Sequence, residues 1–129
     1  MVNSSYAYLH ENTSHCYQCS KCSAGCPVAE EMDLLPHQII HSLAIGEDSE
    51  ALASGTIWVC AGCYTCATRC PNDINITSVM DDLRKKAITS KISCPRPEVL
   101  KFHQAFVKDI QRRGRVHELR FIGEYNLKI

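Results

Sequence analysis

The chain has 129 residues, with 14 Lys+Arg balanced by 14 Asp+Glu, and 9 cysteines. That length fits one small domain with a limited core, which bound metal can reinforce because metal-binding free energy acts as folding free energy. A formal net charge of zero removes the global attraction that nucleic acid or anionic lipid would need. No apolar run approaches the roughly 18 residues of a membrane span.

Met1 to Ser14 is polar and aromatic, without the basic, apolar and small-residue order of a secretory signal. The cysteines then read as reduced thiols in a cytoplasmic protein rather than as a disulfide framework. Their spacing agrees. Cys16, Cys19, Cys22 and Cys26, followed by Pro27, form one C-x2-C-x2-C-x3-C-P string. Cys60, Cys63, Cys66 and Cys70, followed by Pro71, form a second. Disulfide frameworks rarely repeat a four-cysteine spacing so tightly.

Between the strings, Pro36 to Ile45 predicts a helix. Pro36 suits its first turn, Ile39, Ile40 and Leu43 make an apolar stripe, and Gly46 is a stop. Glu47 to Ala53 adds a short helical piece. After the second string, Asn75 or Thr77 caps a helix that runs to about Thr89. Met80, Leu83 and Ala87 share its buried face, and Asp81, Asp82, Arg84, Lys85 and Lys86 are expected to face water. Cys94-Pro95-Arg96-Pro97 breaks the pattern. A further helix fits Glu98 to Arg113, with Val99, Phe102, Phe106 and Ile110 inward and Gly114 at its end. His117 to Lys128 holds one last short helix. No two-residue alternation is evident, so the expected fold class is all-α.

The repeated string is a [4Fe–4S] signature. A cubane needs one thiolate for each of four irons. Three cysteines at x2 spacing reach three corners from one tight turn, and the fourth iron lies too far round the cube. In two-cluster proteins of this kind the fourth cysteine of each string ligates the other cluster. The expected ligands are therefore Cys16, Cys19, Cys22 and Cys70 for cluster one, and Cys60, Cys63, Cys66 and Cys26 for cluster two. Structural zinc is the competing reading, but it takes two pairs of ligands, leaving the third cysteine and the Pro-terminated fourth surplus. A fully ligated cluster offers no open iron to a substrate. Electron transfer is the role that remains, and no catalytic residue is expected.

Other residues near the strings have two readings. Lys21 and Arg69 either raise the cluster potentials with their charge or point to solvent. Tyr17, Trp58 and Tyr64 adjoin ligands and are expected to shield the clusters by packing. Cys94 follows no triad and reads as an ordinary thiol. Of the six histidines, only His37 and His41 are spaced as a pair, and such a pair more often marks a polar helix face than a metal site.

These strings resemble the C-subunit family of heterodisulfide reductase. The resemblance runs through Cys16 to Pro27, Pro36-His37-Gln38-Ile39-Ile40, and Thr56-Ile57-Trp58-Val59-Cys60-Ala61-Gly62-Cys63-Tyr64-Thr65-Cys66 with Arg69-Cys70-Pro71. It continues in Phe102-His103-Gln104-Ala105-Phe106, Gly114-Arg115 to Leu119, and Ile122-Gly123. It implies an α-helical ferredoxin-like domain with two [4Fe–4S] clusters, as in succinate dehydrogenase iron–sulfur subunits. The long helical spacer 27–59 favours that fold over the compact bacterial ferredoxin. The resemblance also implies two partners. One resembles heterodisulfide reductase A, with flavin and further iron–sulfur clusters. The other resembles heterodisulfide reductase B, which reduces the disulfide of coenzyme M and coenzyme B, or a related substrate.

The expected organisation is a two-cluster domain over 1–93 and a helical extension over 94–129 that docks a partner. The expected function is a non-catalytic electron relay between those A-like and B-like partners in an oxidoreductase complex, without nucleic acid and without membrane insertion. The alternatives are an electron-transfer module of another anaerobic respiratory enzyme and a free ferredoxin-like carrier. Zero net charge argues against the free carrier, which would tend to be acidic for steering.

Overall fold

A computed structural model describes residues 4–128. Among the described residues the secondary structure is helical, with no strand. The chain divides into two compact units, one ending at Ser93 and one beginning at Cys94.

In the first unit, α1 (Ser4–Thr13) precedes the first cysteine string. It was not anticipated, because its apolar positions form only a weak stripe. It ends where the Thr13 hydroxyl turns back onto the Leu9 carbonyl at 2.8 Å, with both residues fully buried. α2 (Lys21–Ala24) is a single turn inside the string. A 3-10 turn (Ala29–Glu31) leads to α3 (Pro36–Ala44), which begins at Pro36 as expected. The Gln38 side chain accepts from the Leu35 N–H at 2.8 Å and so satisfies one donor at its start. Ile39, Ile40 and Leu43 are buried on α3, which packs against α1, α2 and α4 (Ser49–Ala53).

Next, α5 (Thr56–Val59) leads into the second string, and α6 (Thr65–Arg69) lies within it. The start of α5 is tied to the preceding loop. Thr56 Oγ1 donates to the Leu34 carbonyl at 2.7 Å and accepts from the Leu34 N–H at 2.9 Å, while Gly55 N–H donates to Asp33 at 2.6 Å. Finally, α7 (Ile76–Thr89) is capped by Asn75, whose Oδ1 accepts from Ser78 N–H at 3.2 Å. Its Val79, Met80, Leu83 and Ala87 are buried, and it packs on α4, α5 and α6.

The expected solvent face of α7 needs correction. Arg84 and Lys86 are only 16% and 17% exposed. Lys86 pairs with Asp48 and so ties α7 to the entry of α4. Helical spacing places these residues at the flanks of the Met80–Leu83–Ala87 face, where their long stems lie along the protein and their tips reach polar groups.

The second unit is a hairpin of α8 (Pro97–Arg113) and α9 (Glu118–Lys128). Gly114 ends α8 at φ 74°, a left-handed stop that glycine takes without strain. The Asp109 carboxylate is 2% exposed and accepts from the His117 N–H at 2.6 Å, at the start of α9. Phe102 meets Phe121 edge-on at 5.0 Å and Tyr125 at 5.6 Å, and Phe106 meets Phe121 at 5.7 Å. The inward reading of α8 holds only in part. Ala105 and Asp109 are its buried residues, while Phe102, Phe106 and Ile110 keep between 36% and 42% of their surface.

Candidate metal centres

The two strings fold alike. Gln18 and Gly62 hold equivalent places between the first and second cysteine, and both are left-handed, at φ 58° and 67°. Ser20 and Tyr64, each just after the second cysteine, are left-handed at 64° and 63° and begin α2 and α6. Three of these four are not glycine, and such a conformation costs about 1–2 kcal/mol each. At Gln18 the strain is offset: the backbone N–H and Nε2 both donate to Cys16 Sγ, at 3.4 and 3.3 Å.

The helices of the two strings, α2 and α6, pack on each other. Arg69, just before Cys70, lies across Gly25, just before Cys26, so closely that a Cβ on Gly25 would meet Arg69 Cδ at 2.7 Å. Two equivalent residues in contact mark the line about which the halves are repeated.

Two cavities adjoin the strings. Cys16, Cys19, Cys22 and Cys70 wall one of them, with His37 and Ile40. Cys60, Cys63, Cys66 and Cys26 wall the other, with Met32 and Met80. Each cavity thus gathers three cysteines of one string and the last of the other. Among the described residues, no three His, Cys, Asp or Glu side chains are placed to hold a single metal ion. The thiols stand around cavities instead.

The donor chemistry fits an iron–sulfur cluster. Burial pushes the Cys22 and Cys66 thiols up from their ordinary value, and repulsion between these two adds to the effect on Cys22. A thiolate at either position therefore calls for compensating positive charge inside the cavity, which cluster iron would supply. Cys63, on the surface, is shifted the other way by the Thr65 hydroxyl 3.3 Å from its sulfur. Further polar groups approach the sulfurs. Ile74 N–H donates to Cys70 Sγ at 3.4 Å, and the Thr77 hydroxyl lies 3.8 Å from Cys66 Sγ. Such contacts tune cluster potentials. The Ser23 hydroxyl lies 3.9 Å from Cys22 Sγ. Gln18, Ser23, Thr65 and Thr77 were missed in the sequence because hydroxyl and amide side chains beside a motif carry no spacing signal of their own.

Other candidates are placed as follows. Trp58 is buried, at 3% exposure, whereas Tyr17 and Tyr64 are 61% and 52% exposed and cover less than expected. Lys21 is exposed, and Arg69 is exposed apart from its stem on Gly25. His37 is half-buried with Nδ1 2.6 Å from the Ser23 hydroxyl, while His41 is exposed. Cys94 is half-buried, and burial pushes its thiol up.

Fold and site together define an α-helical iron–sulfur protein. Residues 12–74 match the 4Fe–4S dicluster domain, and two [4Fe–4S] clusters are its cofactors. The chain is, more particularly, a sequence relative of the heterodisulfide reductase C subunits. It is 38% identical over 72 residues to the iron–sulfur C2 subunit of CoB–CoM heterodisulfide reductase from Methanocaldococcus jannaschii, covering 56% of this chain and 38% of that protein. It is 29% identical over 85 residues to the C subunit of the H2:CoB–CoM heterodisulfide,ferredoxin reductase of Methanothermobacter marburgensis, covering 66% and 46%. It is 38% identical over 77 residues to the C subunit of the ferredoxin:CoB–CoM heterodisulfide reductase of Methanosarcina acetivorans, covering 60% and 31%. The matched region is thus less than half of each relative. No helix among the described residues is long and apolar enough to cross a membrane.

Proposed function

We propose that this chain is the electron-relay subunit of a heterodisulfide-reductase-like complex. In this reading Cys16, Cys19, Cys22 and Cys70 hold one [4Fe–4S] cluster, and Cys60, Cys63, Cys66 and Cys26 hold the other. The observation that carries it is the pair of four-thiol cavities, each lined by three cysteines of one string and the last of the other. Each bound cluster supplies reversible one-electron storage. The eight thiolates fill the iron sites, so the protein has no position for a substrate to bind metal.

The chain's own residues give the relay two ends. In each triad the third cysteine, Cys22 or Cys66, turns inward, and the second, Cys19 or Cys63, is exposed. The inward thiols lie toward the middle, and the exposed thiols mark where an electron would enter or leave. Such a wire serves a donor on one side and an acceptor on the other. The relatives are named for reductases of the CoB–CoM heterodisulfide, which supports a disulfide-reducing acceptor like heterodisulfide reductase B. The donor in this reading is a flavin and iron–sulfur protein like heterodisulfide reductase A. The α8–α9 hairpin, with Leu119 and Leu127 82% and 90% exposed, is the proposed docking element.

The test is anaerobic purification of the tagged chain from its own cells, with the bound chains identified. A flavoprotein and a disulfide-reducing subunit should accompany it, and iron and sulfide should each approach about eight per chain, four for each cubane. A chain that purifies alone while exchanging electrons with many soluble reductases is a free carrier, and the relay reading then fails.

A further inference from the structure

The triad of the second cavity begins at Cys60, directly after α5. A four-residue helix leaves its last carbonyls without partners of its own. Arg84, in the second half of α7, serves one of these and the carbonyl of Cys60 that follows. Its Nε donates to the Ile57 carbonyl, and its Nη2 donates to the Cys60 carbonyl at 2.5 Å. Its Nη1 pairs with Asp81 at 3.0 Å. The arginine is 16% exposed and the aspartate 50%, so water screens the carboxylate more than the guanidinium. The base of this fork is rigid, because α7 packs on α5 and is pinned to Asp48 through Lys86. The first cavity is built differently. The residue before Cys16 is His15, and it is bonded to Asn72.

We propose that Arg84 is a positioning residue for the second metal centre alone: it fixes the backbone of Cys60 through two carbonyls and sets a partly buried cation beside that centre. The proposal rests on the reading of the eight cysteines as cluster ligands. Reduction adds one electron, and so one negative charge, to a centre. A cation held at the ligand's backbone favours that state and raises the potential. The guanidinium suits the task because its rigid fork serves two carbonyls at once and its charge is weakly hydrated. Lysine would keep the charge but could not bridge both oxygens in the same way. Glutamine would keep hydrogen-bonding capacity and lose the charge.

The experiment compares the full anaerobic chain with Arg84→Lys and Arg84→Gln. Each is titrated with redox mediators and followed by paramagnetic resonance. Signals are assigned with Cys19→Ser and Cys63→Ser, which mark the first and second centres. Arg84→Gln should lower the midpoint of the second centre and leave the first in place. Arg84→Lys should recover most of that midpoint, yet lose second-centre iron to a chelator faster than wild type. If Arg84→Gln purifies without its second centre, selective loss with the first retained supports the proposal, and equal loss of both overturns it. Unmoved midpoints, or equal shifts in both, also overturn it. A wild-type protein with no iron–sulfur signal would refute the ligand reading beneath it instead.

Discussion

His15 and Asn72 hold each other by reciprocal hydrogen bonds: Asn72 Nδ2 donates to the His15 carbonyl at 2.8 Å, and His15 Nε2 donates to the Asn72 carbonyl at 3.2 Å. One residue sits just before Cys16 and the other two positions after Cys70. The pair therefore clasps the segments that bring the two strings to the first cavity. Each bond is worth about 0.5–1.5 kcal/mol. Asn72→Ala should let a chelator strip the first centre several-fold faster, with the second centre unchanged. The two phases of iron release, tracked by visible absorbance, read this directly. Uniform acceleration of both phases would count against the clasp.

The proposed exchange of fourth ligands has its own signature. Cys26→Ala should perturb the centre held by Cys60, Cys63 and Cys66, and Cys70→Ala the centre held by Cys16, Cys19 and Cys22. Paramagnetic resonance on each variant shows which signal changes. If each substitution alters only the centre of its own string, the exchange is wrong. Cys94→Ala should leave both signals intact.

Gly25 and Arg69 should be coupled. A methyl group on Gly25 would sit 2.7 Å from Arg69 Cδ and 2.9 Å from Nη1, so the flexible arginine must swing away. Gly25→Ala should cost about 1 kcal/mol, the low end for overpacking. In an Arg69→Ala background the same change should cost little or nothing. A double-mutant cycle on thermal unfolding measures the difference. An identical cost in both backgrounds would show that the contact is not what excludes a side chain at position 25.

Asp109 holds the hairpin at a distance. Its buried carboxylate takes the N–H that opens α9. Asp109→Ala removes a cap and leaves a donor unpaired, at a cost of about 1–3 kcal/mol. Amide exchange should speed up across 118–128 before it does in α7. Protection that falls first in α7 would contradict this.

The docking role of the hairpin is tested by truncation after Gly114. Iron content should stay near wild type while the partner subunits are lost on co-purification. Full partner retention would sink the docking role. Loss of iron together with the partner would mean that α9 instead closes the core.

The two strings were more legible in the sequence than their surroundings. Thiols that serve one cluster recur at fixed spacing, so the strings pointed to eight residues, and the structure gathers those eight around two cavities. Asn75 was readable for a similar reason, since a cap acts within its own turn. Arg84 and Lys86 flank the apolar face of α7, and their charge suggested water although their stems lie along the protein and their tips find polar partners. The Phe102 and Phe106 reading ran into another limit. Both rings pack on aromatic neighbours from α9, yet a two-helix hairpin is too thin to enclose them. In α1 Leu9 and Thr13 are buried among the residues whose side chains are described, and two residues make no period.

The mixed walls of the two cavities set a timetable for biosynthesis. A ribosome that has released Cys16 through Cys26 has released three of the four thiols of the first cavity and only the odd one of the second. Neither pocket has a complete wall until the second string has left the exit tunnel. Until then the nascent chain carries four free thiols that can be oxidised or take the wrong metal. Under the proposed ligand assignment, iron–sulfur delivery to this chain falls in a late window, in which both centres become loadable at nearly the same moment.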